Sequence, residues 1–339
     1  MNETFQCDWD NVDLGQVENQ KLGQRVFKIA GAIFRMLRAP AVVKEADVIV
    51  ARNFDLLVVA WVSMVLLGRK RVPLVYECLD IHSLFTRQDQ IGRFMRWCER
   101  RLLSRITLLI VSSPGFLRSY FEPIQDYTGP VALIENKLWF EGDPLPRPKA
   151  PPKRPKAAPL RLGWVGSIRC AASLKILMET VDALGSDIVL RIHGNIHRHA
   201  LPDFDDEIAK RDNVEYQGPY QYPDGLAAVY ADCDLVWAQD LWQRGGNSDW
   251  LLPNRIYEAS WFGCPSIAVA DTETGRRVAQ SHLGYTIETA SASDLVDCLS
   301  GLDLKDIRAM SESILSIASA EFRLTPEDIE KALHSALKV

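Results

Sequence analysis

Between residues 144 and 159 the chain reads PLPRPKAPPKRPKAAP, and this run constrains what it can fold into more than any other. Proline fixes φ and removes a backbone donor, so prolines this dense continue neither a helix nor a central strand. The run is expected to be an extended, semi-rigid linker that divides the 339 residues into two parts, each long enough to bury its own core. On either side of it, short apolar runs alternate with helix-period stretches, the pattern of α/β domains built on parallel sheets. Before the linker, 47–52, 73–78, 108–112 and 131–134 read as strands. After it, 160–166, 188–193, 214–217, 235–238 and 266–270 do, with helices expected at 174–184, 226–230 and 254–261. The domain expectation is 1–143, a linker at 144–159, a second domain at 160–320 and a C-terminal helix at 321–339.

The start of the chain is unusual for an open α/β sheet. Residues 1–24 carry only a slight strand signal around 4–7, and 26–37 already reads as an amphipathic helix, so the first domain is expected to lack its first strand. The longest apolar run, LLVVAWVSMVLL at 56–67, falls short of the roughly twenty residues that span a bilayer and suits a buried helix. The polar first twenty residues do not resemble a signal peptide. Seven scattered cysteines without a CxxC pair argue against a disulfide framework or zinc cluster and fit a reducing cytoplasm.

Charge separates the two halves. Residues 1–161 hold 24 Lys/Arg against 17 Asp/Glu, and 162–339 hold 15 against 27. A positive first half suits an anionic surface such as a membrane leaflet. Within it, Ile91, Phe94, Met95, Cys98, Leu102 and Ile106 keep a helical period while Arg93, Arg96 and Arg100 fall on another face. That basic face is the expected membrane contact.

The chemistry concentrates in GGNSDWLLPNRIYEASWFGCPSIAVAD, residues 245–271. Pro253 suits a helix start and Gly263 a left-handed helix end, so a short helix is expected between them. Ahead of it, Gly245, Gly246, Asn247 and Ser248 form a loop of small residues that lets backbone approach a ligand. Free N–H groups near Asn254 and Arg255, with the helix dipole behind them, make a site for a diphosphate. Glu258, one turn further on, could accept hydrogen bonds from a ribose. Read from the residues alone, an exposed glutamate on a connecting helix is an equal alternative.

The segment LPNRIYEASWFGCPSIA resembles the donor site of bacterial family-4 (group 1) glycosyltransferases, where P-N-[KR]-x-[YF]-E precedes a helix, a glycine and a [CK]-P-[SV]-[IV] strand. The resemblance implies that Glu258 holds the ribose. Trp250 stands where many members carry a second acidic residue, so contacts to the sugar are expected from Asn247, Ser248 or Asp249. LGWVGSIRC, residues 162–170, is similar to the family's first donor-domain strand and phosphate loop, which implies donor binding at Gly166 and Ser167 and diphosphate binding by Arg169. Lys175 is the nearest match to the family's lysine. Residues 214–218, 226–230 and Asp234, and in the first half VYECLDIH and LIENK, also have parallels; VYECLDIH ends at His82, a candidate for contacting sugar or acceptor, as is Asp80.

Competing motifs carry less. His193, His197 and His199 lie in a polar loop without metal-ligand spacing, and Asp205-Asp206 reads as a solvated helix start. Neither a G-x-S-x-G elbow nor a P-loop occurs. The resemblance therefore implies a GT-B fold, two Rossmann-like domains facing a cleft. The activity it implies is transfer of a sugar, with retention, from a UDP- or GDP-linked donor to a glycan acceptor; the positive first half and its basic face at Arg93, Arg96 and Arg100 point to a lipid-linked acceptor in exopolysaccharide or cell-envelope synthesis. Arg169, His82 and Glu258 are the expected catalytic residues, and Gly166, Ser167, Asn247, Ser248, Pro253, Asn254, Arg255 and Glu258 the expected donor site. No metal or other cofactor is expected, no nucleic acid, and a cytoplasmic location at the inner face of the membrane. A GT-B epimerase and a non-catalytic nucleotide-binding member are the alternatives.

Overall fold

The computed structural model describes residues 12–14, 22–155 and 158–337; the strand signal at 4–7 lies outside them, as does Cys7. The chain divides into two compact units. One runs to Val111 and takes in Tyr120–Leu133 and the residues from Ala332; the other comprises Ser112–Ser119 and Ile134–Lys331.

The first unit holds a parallel sheet in the order β1 (Ile49–Arg52), β2 (Leu74–Cys78), β3 (Leu108–Val111), β4 (Val131–Leu133). Its helices include α1 (Leu22–Arg38), α2 (Phe54–Leu66) and α3 (Gln90–Leu103). The apolar run at 56–67 becomes α2, which buries Leu57, Val59 and Met64. Its start is set by Asn53, whose side chain accepts from Leu56 N and whose φ of 77° asparagine tolerates better than most residues. Among the described residues no helix is long and apolar enough to cross a membrane.

Helix α3 departs from the expected reading. Its buried side is Gly92, Glu99 and Leu103, while Ile91, Phe94 and Trp97 are exposed. Arg96 turns back to donate to the carbonyls of Phe85 and Arg87, and Arg100 donates to that of Ile124 and pairs with Asp126. The three arginines therefore do not form one free basic face. A guanidinium reaches unsatisfied carbonyls from a helix flank, and here that requirement outweighs solvation.

The second unit is built on six parallel strands in the order β10-β9-β8-β5-β6-β7. These are β5 (Leu160–Ile168), β6 (Ile188–Ile196), β7 (Val214–Gly218), β8 (Leu235–Trp237), β9 (Ser266–Val269) and β10 (Gly284–Ile287). Strand β5 is central and pairs with both β6 and β8. Its near-continuous apolar sequence follows from burial on both faces: Trp164 joins one core cluster with Trp237, and Val165 joins the other with Val236. Helix α4 (Ala171–Leu184) covers the first cluster. Helices α5 (Asn254–Trp261) and α6 (Glu273–Gln280) flank β9 in sequence.

The division between the units falls at Leu133 rather than after residue 143, because the segment beyond β4 packs onto the second unit. Leu138 exchanges backbone hydrogen bonds with Phe322 and Leu324. Arg147, inside the proline-rich run, donates to the carbonyls of Trp261, Ile314 and Ile317 and lies over the Phe322 ring. Those carbonyls lie at helix ends, where only that of Ile314 also accepts from a backbone N–H, that of Ile317, so one guanidinium serves three acceptors and ties the run down. The run thus has no regular structure where it is described, yet it is a strap rather than a free spacer.

The first unit also buries a carboxyl group. Glu99 on α3 accepts from Tyr76, Tyr120 and Gln125, and burial pushes its pKa up to about 7 against those three hydrogen bonds. Folded protein therefore holds this proton more tightly than unfolded chain, and stability contributed by Glu99 falls as pH rises from 4.5 to about 7. Glu99→Gln is expected to flatten that slope, which amounts to about 3 kcal/mol across the window. Chemical denaturation of both proteins between these pH values measures it; parallel curves would show that the pKa of Glu99 is the same in folded and unfolded protein.

Candidate functional site

In parallel sheets, ligands meet the carboxyl ends of the strands, and in the second unit those ends gather most of the expected donor residues. Gly166 near the end of β5 has φ 109°, and its neighbour in register, Gly194 on β6, has φ 133°. A Cβ on Gly194 would stand 1.8 Å from the Gly166 carbonyl oxygen, so the two backbones approach as only glycine permits. Ser167 follows, exposed, with its hydroxyl 2.7 Å from His197 Nε2.

Two guanidiniums stand beside this floor. Arg255, in the first turn of α5, donates to the Trp237 carbonyl at the end of β8 (3.3 Å), and its Nη2 lies 3.6 Å from where a Gly166 Cβ would be. Arg169, just past β5, is half-exposed, 3.9 Å from Asp240 and 5.7 Å from the Trp242 ring centroid. Lys175 is elsewhere, on the exposed side of α4 in an i,i+4 pair with Glu179. The second cation at the glycine floor is therefore Arg255.

Helix α5 begins after Pro253, whose extended backbone leads into Asn254, and ends before Gly263, with φ 71°. Asn254 is exposed and Pro253 half-buried. Glu258 is 6% exposed and accepts from Tyr230 OH at 2.9 Å. Burial raises its pKa, while the Tyr230 hydrogen bond and Arg255 pull it down. The glutamate is thus a desolvated acceptor rather than an exposed one. Tyr220 and Tyr222, after β7, lie near enough for its charge to reinforce the effect of burial on their phenols.

The loop after β8 holds residues that the sequence did not single out. Gln239, 1% exposed, accepts from Val269 N and Thr272 Oγ1 and so clamps the ends of β8 and β9 together. Asp240 accepts from Trp242 N and from the hydroxyl of Ser248, which itself accepts from Gln243 N. Ser248, 1% exposed, serves the loop, and Asn247 is also buried. Asp249 accepts from Gly245 N and pairs with Arg244. Trp250, in place of the family's second acid, offers its carbonyl to Ser113 Oγ, and Gly115 packs against the same carbonyl. Of these, Asp240 is the carboxylate nearest Arg169; a lone aspartate with no motif around it gave no sequence signal.

His82 lies in the first unit. Its Nδ1 accepts from Leu84 N and caps the helix Ser83–Thr86, and its Nε2 is 3.2 Å from Arg25. Burial, then Arg25, lowers its pKa, with Asp55 opposing. Glu77 pairs with Arg52. Of the loop histidines, His193 contacts Asp232, and His197 contacts Ser167 and packs edge-on against His199; Asp205 pairs with Arg198. Asp234 is bound by Arg161 and Arg154.

Residues 4–136 match the glycosyl transferase 4-like domain. Over 293 residues the chain is 36% identical to the succinoglycan biosynthesis protein ExoL of Rhizobium meliloti (strain 1021), covering 86% of this chain and 72% of that protein. The chain belongs to the glycosyl transferase 4-like family. The glycosyltransferase also shares its fold with solved structures of low identity. Anabaena HepE, crystallised in complex with UDP, has a TM-score of 0.66 at 17% identity over 93% of this chain and 84% of its own. Sucrose-phosphate synthase from Thermosynechococcus elongatus has 0.69 at 13%, over 96% and 81%. The fold is accordingly GT-B, with two parallel α/β sheets. Family membership favours the transferase over the epimerase and the non-catalytic alternatives.

Because Gly194 has neither room for a Cβ nor an ordinary φ, Gly194→Ala is expected to destabilise the second unit by at least about 2 kcal/mol. Thermal or urea unfolding checks this, with Gly185→Ala as a control whose Cβ meets nothing within 4 Å. Equal losses in both would leave only the backbone dihedral as the cause.

Proposed function

We propose that this glycosyltransferase moves a hexosyl group, with retention at the sugar carbon, from a UDP- or GDP-linked donor to a glycan or lipid-linked acceptor during exopolysaccharide synthesis. The observation that carries the donor reading is the set formed by the Gly166–Gly194 floor, Arg169, Arg255 and buried Glu258 at the carboxyl ends of one sheet. The UDP bound to HepE and the biosynthetic role in ExoL's name support the donor class and the product. The positive charge of the first half supports a place at the inner face of the cytoplasmic membrane.

The main barrier in such a transfer is departure of a nucleoside diphosphate from an oxocarbenium-like centre. Arg169 and Arg255 would neutralise the two phosphates, aided by the N–H groups that begin α5. A guanidinium keeps its charge across physiological pH and grips phosphate through paired hydrogen bonds, so the leaving group needs no divalent cation. Glu258 would accept from the ribose hydroxyls. Its desolvation strengthens those hydrogen bonds, and Tyr230 fixes the carboxylate's orientation. Asp240, beside Arg169, would take the place of the acid absent at Trp250 and accept from a sugar hydroxyl. Gly166 and Ser167 let the diphosphate approach the backbone, and Asn247 and Ser248 shape the loop around it. His82 would act from the first unit toward sugar or acceptor.

Glu258→Ala is expected to weaken UDP or GDP binding by about 2–3 kcal/mol. It should also lower stability by about 1–3 kcal/mol, since the buried Tyr230 hydroxyl loses its acceptor. Calorimetric titration and thermal unfolding read the two effects separately, and unchanged affinity for both nucleotides sinks the ribose assignment.

Arg169→Ala should reduce turnover of the accepted donor about a hundredfold, and Arg169→Lys should restore only part of it. The assay is run on a panel of UDP- and GDP-sugars, with and without excess EDTA. Activity that collapses with chelator and returns with magnesium would overturn the guanidinium mechanism.

A further inference from the structure

Helix α3 presents outward a face that the first unit does not use, and we propose that this face seats the protein on an anionic lipid surface. The inference rests on the membrane placement above and names the surface responsible. Around the helix, Gly92, Glu99 and Leu103 point inward. On the other side Phe94 is 60% exposed and Trp97 58%, their rings stacked with centroids 6.0 Å apart, and Ile91 is 42% exposed at the helix's first turn. Arg93 and Arg101 are exposed beside them, and Arg105, just beyond the helix, lies over the Trp61 ring.

Among the described residues, the unpaired charges that α3 carries are of one sign. Helix α3 carries four arginines and one acid, and that acid is the buried Glu99. Asp89 at the N-cap is paired with Arg87, and Asp126 with Arg100. The outward face therefore combines two aromatic rings and an isoleucine with uncompensated arginines. Aromatic rings settle at the depth of lipid headgroups, and arginines reach the phosphates around them. A second copy of the chain fits less well: three apolar side chains fall far below the roughly 800 Å² per partner that a stable dimer buries.

The test is co-sedimentation of the full chain with vesicles of phosphatidylcholine alone and of phosphatidylcholine mixed with phosphatidylglycerol. Wild type should bind the mixed vesicles and be released by salt. Phe94→Ser with Trp97→Ser should weaken that binding at least about tenfold. Arg93→Gln with Arg101→Gln should weaken it by about fivefold per arginine, and only on mixed vesicles. Thermal unfolding and UDP affinity should match wild type in both variants, which keeps misfolding apart from lost contact. If wild type binds mixed vesicles and both variants bind as well, this face is wrong while the membrane placement stands. If wild type never binds at low salt, the placement itself fails. A wild-type dimer in sedimentation velocity that the Phe94/Trp97 change dissolves would assign the face to a second copy and overturn the lipid reading.

Discussion

The candidate site in the second unit depends on how closely β5 and β6 approach at their carboxyl ends. Two glycines at positive φ, one almost touching the carbonyl of the other, leave a bare backbone floor where strands would otherwise present side chains. The rest of the site is arranged around that floor. Arg255 reaches it from α5 and is held by the end of β8; Arg169 leaves β5 just beyond it; Glu258 lies a turn deeper in the same helix as Arg255. A side chain at Gly194 would have to displace backbone, and one at Gly166 would have to adopt a φ of 109°, so the shape here is set by main-chain geometry before any charged group is placed.

Electrostatics then divide the labour. Arg169 is half-exposed beside Asp240, whereas Glu258 is buried and accepts from one hydroxyl beside a neighbouring guanidinium. Elsewhere the same residue types do structural work. Arg147 closes helix ends, Arg96 and Arg100 satisfy carbonyls, and His82 caps a helix turn. Residue type alone does not separate these roles. The structural roles follow from backbone groups that the fold brings within reach of each side chain.

Much of the candidate site's local structure was legible because its signals are local. Pro253 and Gly263 bracket α5 through φ preferences that act within a few residues, and the helix runs where those two residues place it. The strands of the second unit announce themselves by apolar runs bounded by breakers. β10 and the two helices that follow it, Ala292–Ser300 and Leu304–Ser316, were not read individually, since their sequences are more polar and their burial comes from packing on β9, α4 and α5. Asp240 and Gln239 were missed for a similar reason: their partners, Ser248, Val269 and Thr272, are assembled only by the fold.

By itself, then, the sequence determined the parallel α/β class, the helix that carries Arg255 and Glu258, and the glycine at Gly166, because each follows from short-range backbone rules and periodicity. Only the tertiary structure decided that Lys175 turns away, that Arg255 stands over Gly166, and that Glu258 is buried. It also decided that α3 turns Phe94 and Trp97 outward while Arg96 turns in, and that the second unit takes in the chain from Ile134. Those outcomes depend on partners far away in the chain. The direction of a long side chain is set by which carbonyl or carboxylate the fold leaves unsatisfied beside it, and no window of sequence contains that information.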